Sequence, residues 1–175
     1  MIKIFISALA FMFTIHIFAQ TSDNKTEIGV NLSQYQKDFG VGLHVITPYI
    51  AKTNFAIKIG ANIQWFENAT VNETSWDAYQ NIQLGVRVRN TILENKMFCY
   101  AEGGAVALLT NSRFSSTEKV FGGYGLFGFE FRPANRITYF VELGGIGTGA
   151  VADKIASNPI YSNGFLTNAG FRVRL

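Results

Sequence analysis

The side chains in this chain that could do chemistry are few. After its first segment the chain keeps one histidine, His44, and carries the carboxylates Glu102, Glu130 and Glu142 in the interiors of stretches that read as strands. A histidine with a nucleophile and an orienting carboxylate would make an acyl-transfer set. Ser33 and Glu142 face the same side as His44, yet no spacing ties the three together, and such a site demands defined mutual geometry. The carboxylates could act as an acid/base pair, but they share their face with Lys58, Arg87, Arg89, Arg132, Arg172 and Arg174. An unpaired interior charge is costly, so ion pairing is the simpler role for the whole set, with His44 as a hydrogen-bonding member.

Other motifs carry less. The single cysteine, Cys99, excludes an intramolecular disulfide and reads as a small buried filler. One cysteine and one histidine give no zinc-type spacing. Gly122-Gly123-Tyr124-Gly125 lies within a strand pattern rather than before a helix, which excludes a phosphate-binding loop. Asn68-Ala69-Thr70 and Asn72-Glu73-Thr74 match the glycosylation pattern but read as polar loop sequence. The sequence therefore implies no catalytic residues, no cofactor and no metal.

The elements that position these side chains repeat. Gly42, Gly85, Gly128 and Gly170 stand at near-equal intervals, and each opens an alternation of apolar and polar residues. Alternation marks a strand with two unlike faces. A repeat of this length suits a propeller blade, but each period holds two long strands, so four hairpins fit better. Strands are predicted over about 27–35, 39–47, 54–66, 78–90, 97–109, 120–132, 137–148 and 164–175. The fifth is the least distinct, because both of its faces are apolar. Connections after strands two, four and six are short. Those after three, five and seven, at 67–77, 110–119 and 149–163, are longer and polar.

The chain opens with Lys3 before an apolar run from Ile4 to Phe18, closed by Ala19-Gln20. These features describe a secretory signal peptide over residues 1–19, with a membrane anchor as the alternative. Residues 20–175 then make one domain, a size that suits a single core. The formal charge is +3 and the basic residues are scattered, which argues against nucleic-acid binding.

One face of the strands is apolar over successive alternate positions. The other carries the charges, amides and glycines. A small barrel has little interior space, so glycines beside arginines belong inside it, and glycine in an exposed strand interior is unfavourable. The reading is an all-β, eight-stranded antiparallel up-and-down transmembrane barrel with a polar lumen. A soluble barrel with the opposite orientation is the alternative. Trp65, Tyr79, Phe131, Tyr139 and Phe171 are candidates for interfacial aromatic girdles.

With its alternating strands and its terminal Gly170-Phe171-Arg172-Val173-Arg174-Leu175, residues 27–175 resemble the small eight-stranded outer-membrane barrels of the OmpA/OmpX type, in the form common in Bacteroidota-like bacteria. The resemblance implies a bacterial outer-membrane location, contact with outer-membrane lipid and lipopolysaccharide, and no nucleic acid. It implies that Phe171, Val173 and Leu175 form a closing strand read by the barrel-assembly machinery, although leucine stands where the family usually ends in an aromatic. The implied role is structural, adhesive or surface-interacting, carried by the long loops toward a partner the sequence does not name. A narrow solute channel and a lipid-modifying barrel enzyme are the alternatives.

Overall fold

In the computed structural model, residues 25–50, 54–69, 74–94 and 96–175 are described. The expected signal peptide lies outside them. Ten strands follow in order: β1 Glu27–Tyr35, β2 Asp38–Ile46, β3 Phe55–Ala69, β4 Thr74–Leu93, β5 Met97–Leu109, β6 Lys119–Phe131, β7 Ile137–Gly147, β8 Ala150–Val151, β9 Ile160–Tyr161 and β10 Gly164–Arg174. Eight of them close into one antiparallel barrel in the order β1-β10-β7-β6-β5-β4-β3-β2. The seam joins β1 to β10 from Glu27↔Arg174 to Tyr35↔Leu166.

The period-2 alternation of side chains sorts residues to the two faces. In β2 it is complete: Asp38, Gly40, Gly42, His44 and Ile46 are buried, while Phe39, Val41, Leu43 and Val45 are exposed. Lys58, Arg87, Glu102, Glu130, Glu142 and Arg172 are buried while Leu32, Leu43, Ile59, Leu84 and Phe127 are exposed. Charge inside and hydrocarbon outside is the distribution of a transmembrane barrel. The soluble alternative, with an oily centre, does not describe this chain.

Some sequence expectations change in detail. The connection expected over 67–77 is mostly strand, because β3 runs to Ala69 and β4 starts at Thr74. The sequence there, Glu67-Asn68 and Thr74-Ser75, carries no apolar alternation to mark a strand. The connection expected over 149–163 contains the short hairpin β8–β9, which pairs Ala150 with Tyr161. Cys99 is half-exposed on the outer wall rather than a core filler, opposite Phe129 and Asn90 in the register.

The outer wall carries aromatics toward both ends. Phe39 stacks on Trp65 and meets Trp76 edge-on at one end. Phe131, Tyr139 and Phe171 are cross-strand neighbours near the other. Tyr79, expected in a girdle, points inward instead and is buried; its hydroxyl donates to the carboxylate of Asp38.

Candidate functional site: a filled lumen and a tied outer mouth

The centre of the lumen is an ionic cluster built by six strands, β3 to β7 and β10. Arg87 from β4 and Arg172 from β10 have no exposed surface. Arg87 donates Nε to Glu102 Oε2 at 2.8 Å, Nη1 to Glu130 at 3.0 Å and Nη2 to Glu142 at 3.1 Å. Arg172 donates Nη1 to Glu130 at 2.7 Å and Nη2 to Glu142 at 2.9 Å. Lys58 bridges to Glu102 at 2.8 Å. Three cations thus meet three carboxylates in a buried interior, where geometry and further hydrogen bonds decide whether ion pairs survive desolvation.

Those further bonds come from side chains that the sequence reading did not assign to the set. Tyr100 donates to Glu142 at 2.5 Å, Tyr124 to Glu102 at 3.0 Å and Asn168 to Glu142 at 2.7 Å. The Arg87 guanidinium lies 3.8 Å from the Tyr100 ring centroid, and Arg172 lies 3.8 Å from that of Phe140. Both arginines are therefore held by stacking as well as by forked hydrogen bonds. Tyr100 lies on the fifth strand, whose apolar pattern hid it, and only its i+2 spacing from Glu102 marks its face.

His44 belongs to this network. Arg172 Nε donates to His44 Nε2 at 3.0 Å, and His44 Nδ1 lies 3.1 Å from Asn31 Oδ1. Because an arginine nitrogen can only donate, Nε2 must accept, and the ring hydrogen sits on Nδ1, where it donates to Asn31. Ser33 is engaged elsewhere, accepting from Gln64. The histidine is an acceptor for a buried arginine, and among the described residues no hydroxyl or thiol is hydrogen-bonded to it.

Above the ions lies a band of amides. Asn31 donates to Asn62 at 3.2 Å, Asn62 to Asn81 at 2.8 Å, and Gln83 to the Tyr35 hydroxyl at 3.0 Å. Asn31 and Asn62 stand on β1 and β3, with β2 between them. They meet because the intervening residue is Gly42, where a Cβ would overlap the Asn62 side chain.

Buried side chains pack at both ends. At the end that carries the connections 110–118 and 148–163, which we call the outer end, Phe66, Tyr79, Phe114 and Tyr161 pack together: Phe66 lies 4.8 Å from Phe114 and 5.3 Å from Tyr161, and Tyr79 lies 5.0 Å from Tyr161, between ring centroids. Phe114 comes from the loop after β5 and Tyr161 from β9, so the loops themselves supply the lid. Backbone and side-chain bonds tie the two loops: Lys154 N to Phe114 O at 3.1 Å, Ser116 N to Asp153 Oδ1 at 2.8 Å and Lys154 Nζ to Ser112 O at 2.8 Å. The Ser116 hydroxyl also donates to Asp153. These donors, first the hydroxyl and then the amide, hold the exposed Asp153 carboxyl below the usual aspartate range. Beside the lid, Tyr35, Lys37, Asp38, Phe66, Glu67 and Asn163 line a recess of about 470 Å³.

At the inner end Glu27 accepts from Arg132 at 3.1 Å, and Arg89 lies over the ring of Tyr49 at 3.7 Å and of Phe98 at 4.7 Å. Glu130 reaches both, lying 3.5 Å from Arg89 and 3.6 Å from Arg132. Arg174, expected in the lumen set, stands at the rim instead and donates to the carbonyl of Asn135 at 3.1 Å. Phe171, Val173 and Leu175 all point outward. Among the described residues no group of histidine, cysteine and carboxylate side chains could hold a metal ion.

Solved structures share this architecture. The N-terminal β-barrel domain of Pseudomonas aeruginosa OprF aligns with a TM-score of 0.58 at 9% identity, over 89% of this chain and 100% of that one. The Yersinia pestis outer membrane protein Ail, in a phospholipid bilayer nanodisc, aligns with a TM-score of 0.55 at 12% identity, over 87% and 99% of the two chains. At such identities the likeness is one of fold. No family model and no curated protein matches the chain.

Proposed function

We propose that the chain is a non-enzymatic bacterial outer-membrane barrel that displays its tied outer loops as an interaction surface. The observation that carries this reading is the joined pair of loops, 110–118 and 148–163, closed over an aromatic lid above a filled lumen. A lumen packed with ion pairs and capped by aromatics favours an anchor over a conduit. A rigid scaffold that positions loops is a common seat of binding function. The recess beside the lid offers a concave place with both amide and carboxylate groups. The fold it shares with OprF and Ail supports the envelope location. Phe171, Val173 and Leu175, exposed at the end of the closing strand, suit recognition by an assembly machinery in the same membrane.

Planar bilayers test the anchor. The detergent-extracted protein, shown to be folded by heat-modifiable gel migration, leaves the membrane current silent; regular conductance steps would instead make it a channel. Cells displaying the native chain should be retained on glycan- or protein-coated surfaces, and replacing residues 111–117 with a Gly-Ser stretch should abolish retention while heat-modifiability persists. Equal retention of both strains would remove the loops from the function.

A further inference from the structure

The two ends of the barrel differ in charge. At the outer end the described exposed and half-buried ions balance: Lys37, Arg113, Lys119 and Lys154 face Glu67, Asp77, Glu118 and Asp153. At the inner end they do not. Lys25, Lys96, Arg132, Arg136 and Arg174 gather there, and of the described acids at this end only Glu94 is exposed. Glu27 offsets Arg132 but is itself buried between that residue and Arg89.

The backbone sets these cations side by side. Arg132 N donates to Lys96 O at 2.8 Å, Arg174 N to Arg136 O at 2.9 Å, and Leu175 N to Thr26 O at 3.0 Å. The β4–β5 turn, the β6–β7 turn, the end of β10 and the start of β1 thus form one basic arc along six consecutive strands of the ring. Directly beyond the arc the outer wall is apolar and aromatic: Phe131 is opposite Tyr139, Tyr139 is opposite Phe171, and Ile137 is opposite Val173, all exposed.

From this junction we infer that the inner rim is a docking arc for acidic phospholipids of the inward-facing leaflet. Acyl chains lie along the Phe131–Tyr139–Phe171 wall while the headgroup phosphates meet Lys96, Arg136 and Arg174. Cations at a membrane surface favour anionic headgroups by an amount that falls with salt. An arc whose lower edge is charged and whose upper edge is greasy matches a phospholipid more closely than a soluble acidic partner, which would leave the wall uncovered. The inference rests on the membrane-barrel reading.

The test is lipid selectivity by electron paramagnetic resonance in phosphatidylcholine vesicles, with spin-labelled phosphatidylglycerol or phosphatidylcholine as the probe. The native protein should favour phosphatidylglycerol by roughly five-fold at low salt, the effect of one basic side chain near the headgroups, and lose that preference in high salt. Lys96→Gln with Arg136→Gln should bring the ratio close to one, while Lys37→Gln with Lys119→Gln at the outer end should leave it unchanged. Equal association of both lipids with the native protein overturns the inference, as does an equal loss from the outer-end pair. Failure to insert and show heat-modifiable migration is a separate outcome, and it would overturn the membrane reading and this inference together.

Discussion

The ionic centre of the lumen and its outer mouth are held by different chemistry. Inside, strands hold arginines against glutamates, every partner coming from the barrel wall itself. At the mouth, loops bring Phe114 and Tyr161 onto Phe66 and Tyr79 from the wall. The ionic region joins strands far apart in sequence, so its loss weakens the whole barrel. The aromatic region joins loops to the wall, so its loss opens only the mouth. This difference separates what keeps the barrel closed from what holds its loops in place.

The largest effect that would break this comparison is at Glu130, which lies within ion-pair distance of Arg87, Arg89, Arg132 and Arg172. Glu130→Gln leaves buried cations without that carboxylate and should lower the unfolding free energy by about 3–5 kcal/mol. Urea unfolding in detergent measures it; a change below about 1 kcal/mol would mean the cluster adds little to stability.

At the mouth, Tyr161→Ala removes a ring that packs on three others. A buried aromatic deletion costs roughly 3 kcal/mol. Here that cost should appear as protease cleavage within 148–163, with heat-modifiable migration of the barrel unchanged. Loss of the folded gel band would show that the two regions unfold as one.

Two glycines sharpen the contrast between the faces of the wall. A Cβ at Gly128 would overlap the Tyr100 ring, whereas one at Gly125 would meet nothing within 4 Å. Gly128→Ala should cost about 1–3 kcal/mol through overpacking, and Gly125→Ala about 0.5 kcal/mol or less, as at other unobstructed surface positions. Equal effects in parallel unfolding curves would mean that backbone freedom, not space, decides both.

The smallest effect is on acid. Because Ser116 holds the Asp153 carboxyl below its ordinary value, the contribution of that tie is present above the ordinary aspartate range and is lost as pH falls through the lowered value. Protection of the Ser116 amide from hydrogen exchange, taken relative to its intrinsic rate at each pH, should fall over that acid interval in the native chain and be low at every pH in Asp153→Asn. Exchange that stays slow in the variant would show that the loops are held by their backbone bonds alone.

Much of the barrel was legible because each strand had two unlike faces. The alternation in β2, β3 and β4 placed Lys58, Arg87 and His44 inward, and the shared face of opposite charges pointed to pairing. Strand β5 was hard to read for a physical reason. Its outer face carries Ala101, Gly103, Ala105 and Ala107 in place of large apolar residues, and Gly123, Gly125, Gly145 and Gly147 continue that bare surface on β6 and β7. Its inner face mixes Tyr100 and Glu102 with Val106 and Leu108. The aromatic lid was not legible, because Phe114 and Tyr161 sit in loops where no period marks a buried side. The rim position of Arg174 was missed because alternation gives the face of a residue but not its height along the wall.

The seam between β1 and β10 carries a consequence in time. Synthesis makes Glu27 long before Arg174, yet the two are register partners. Until the last strand emerges, the first has one edge open, with its backbone donors and acceptors unmet. A nascent chain therefore travels with a sticky margin that only its own far end can cover, and any protein that escorts it must shield that margin until the ring shuts.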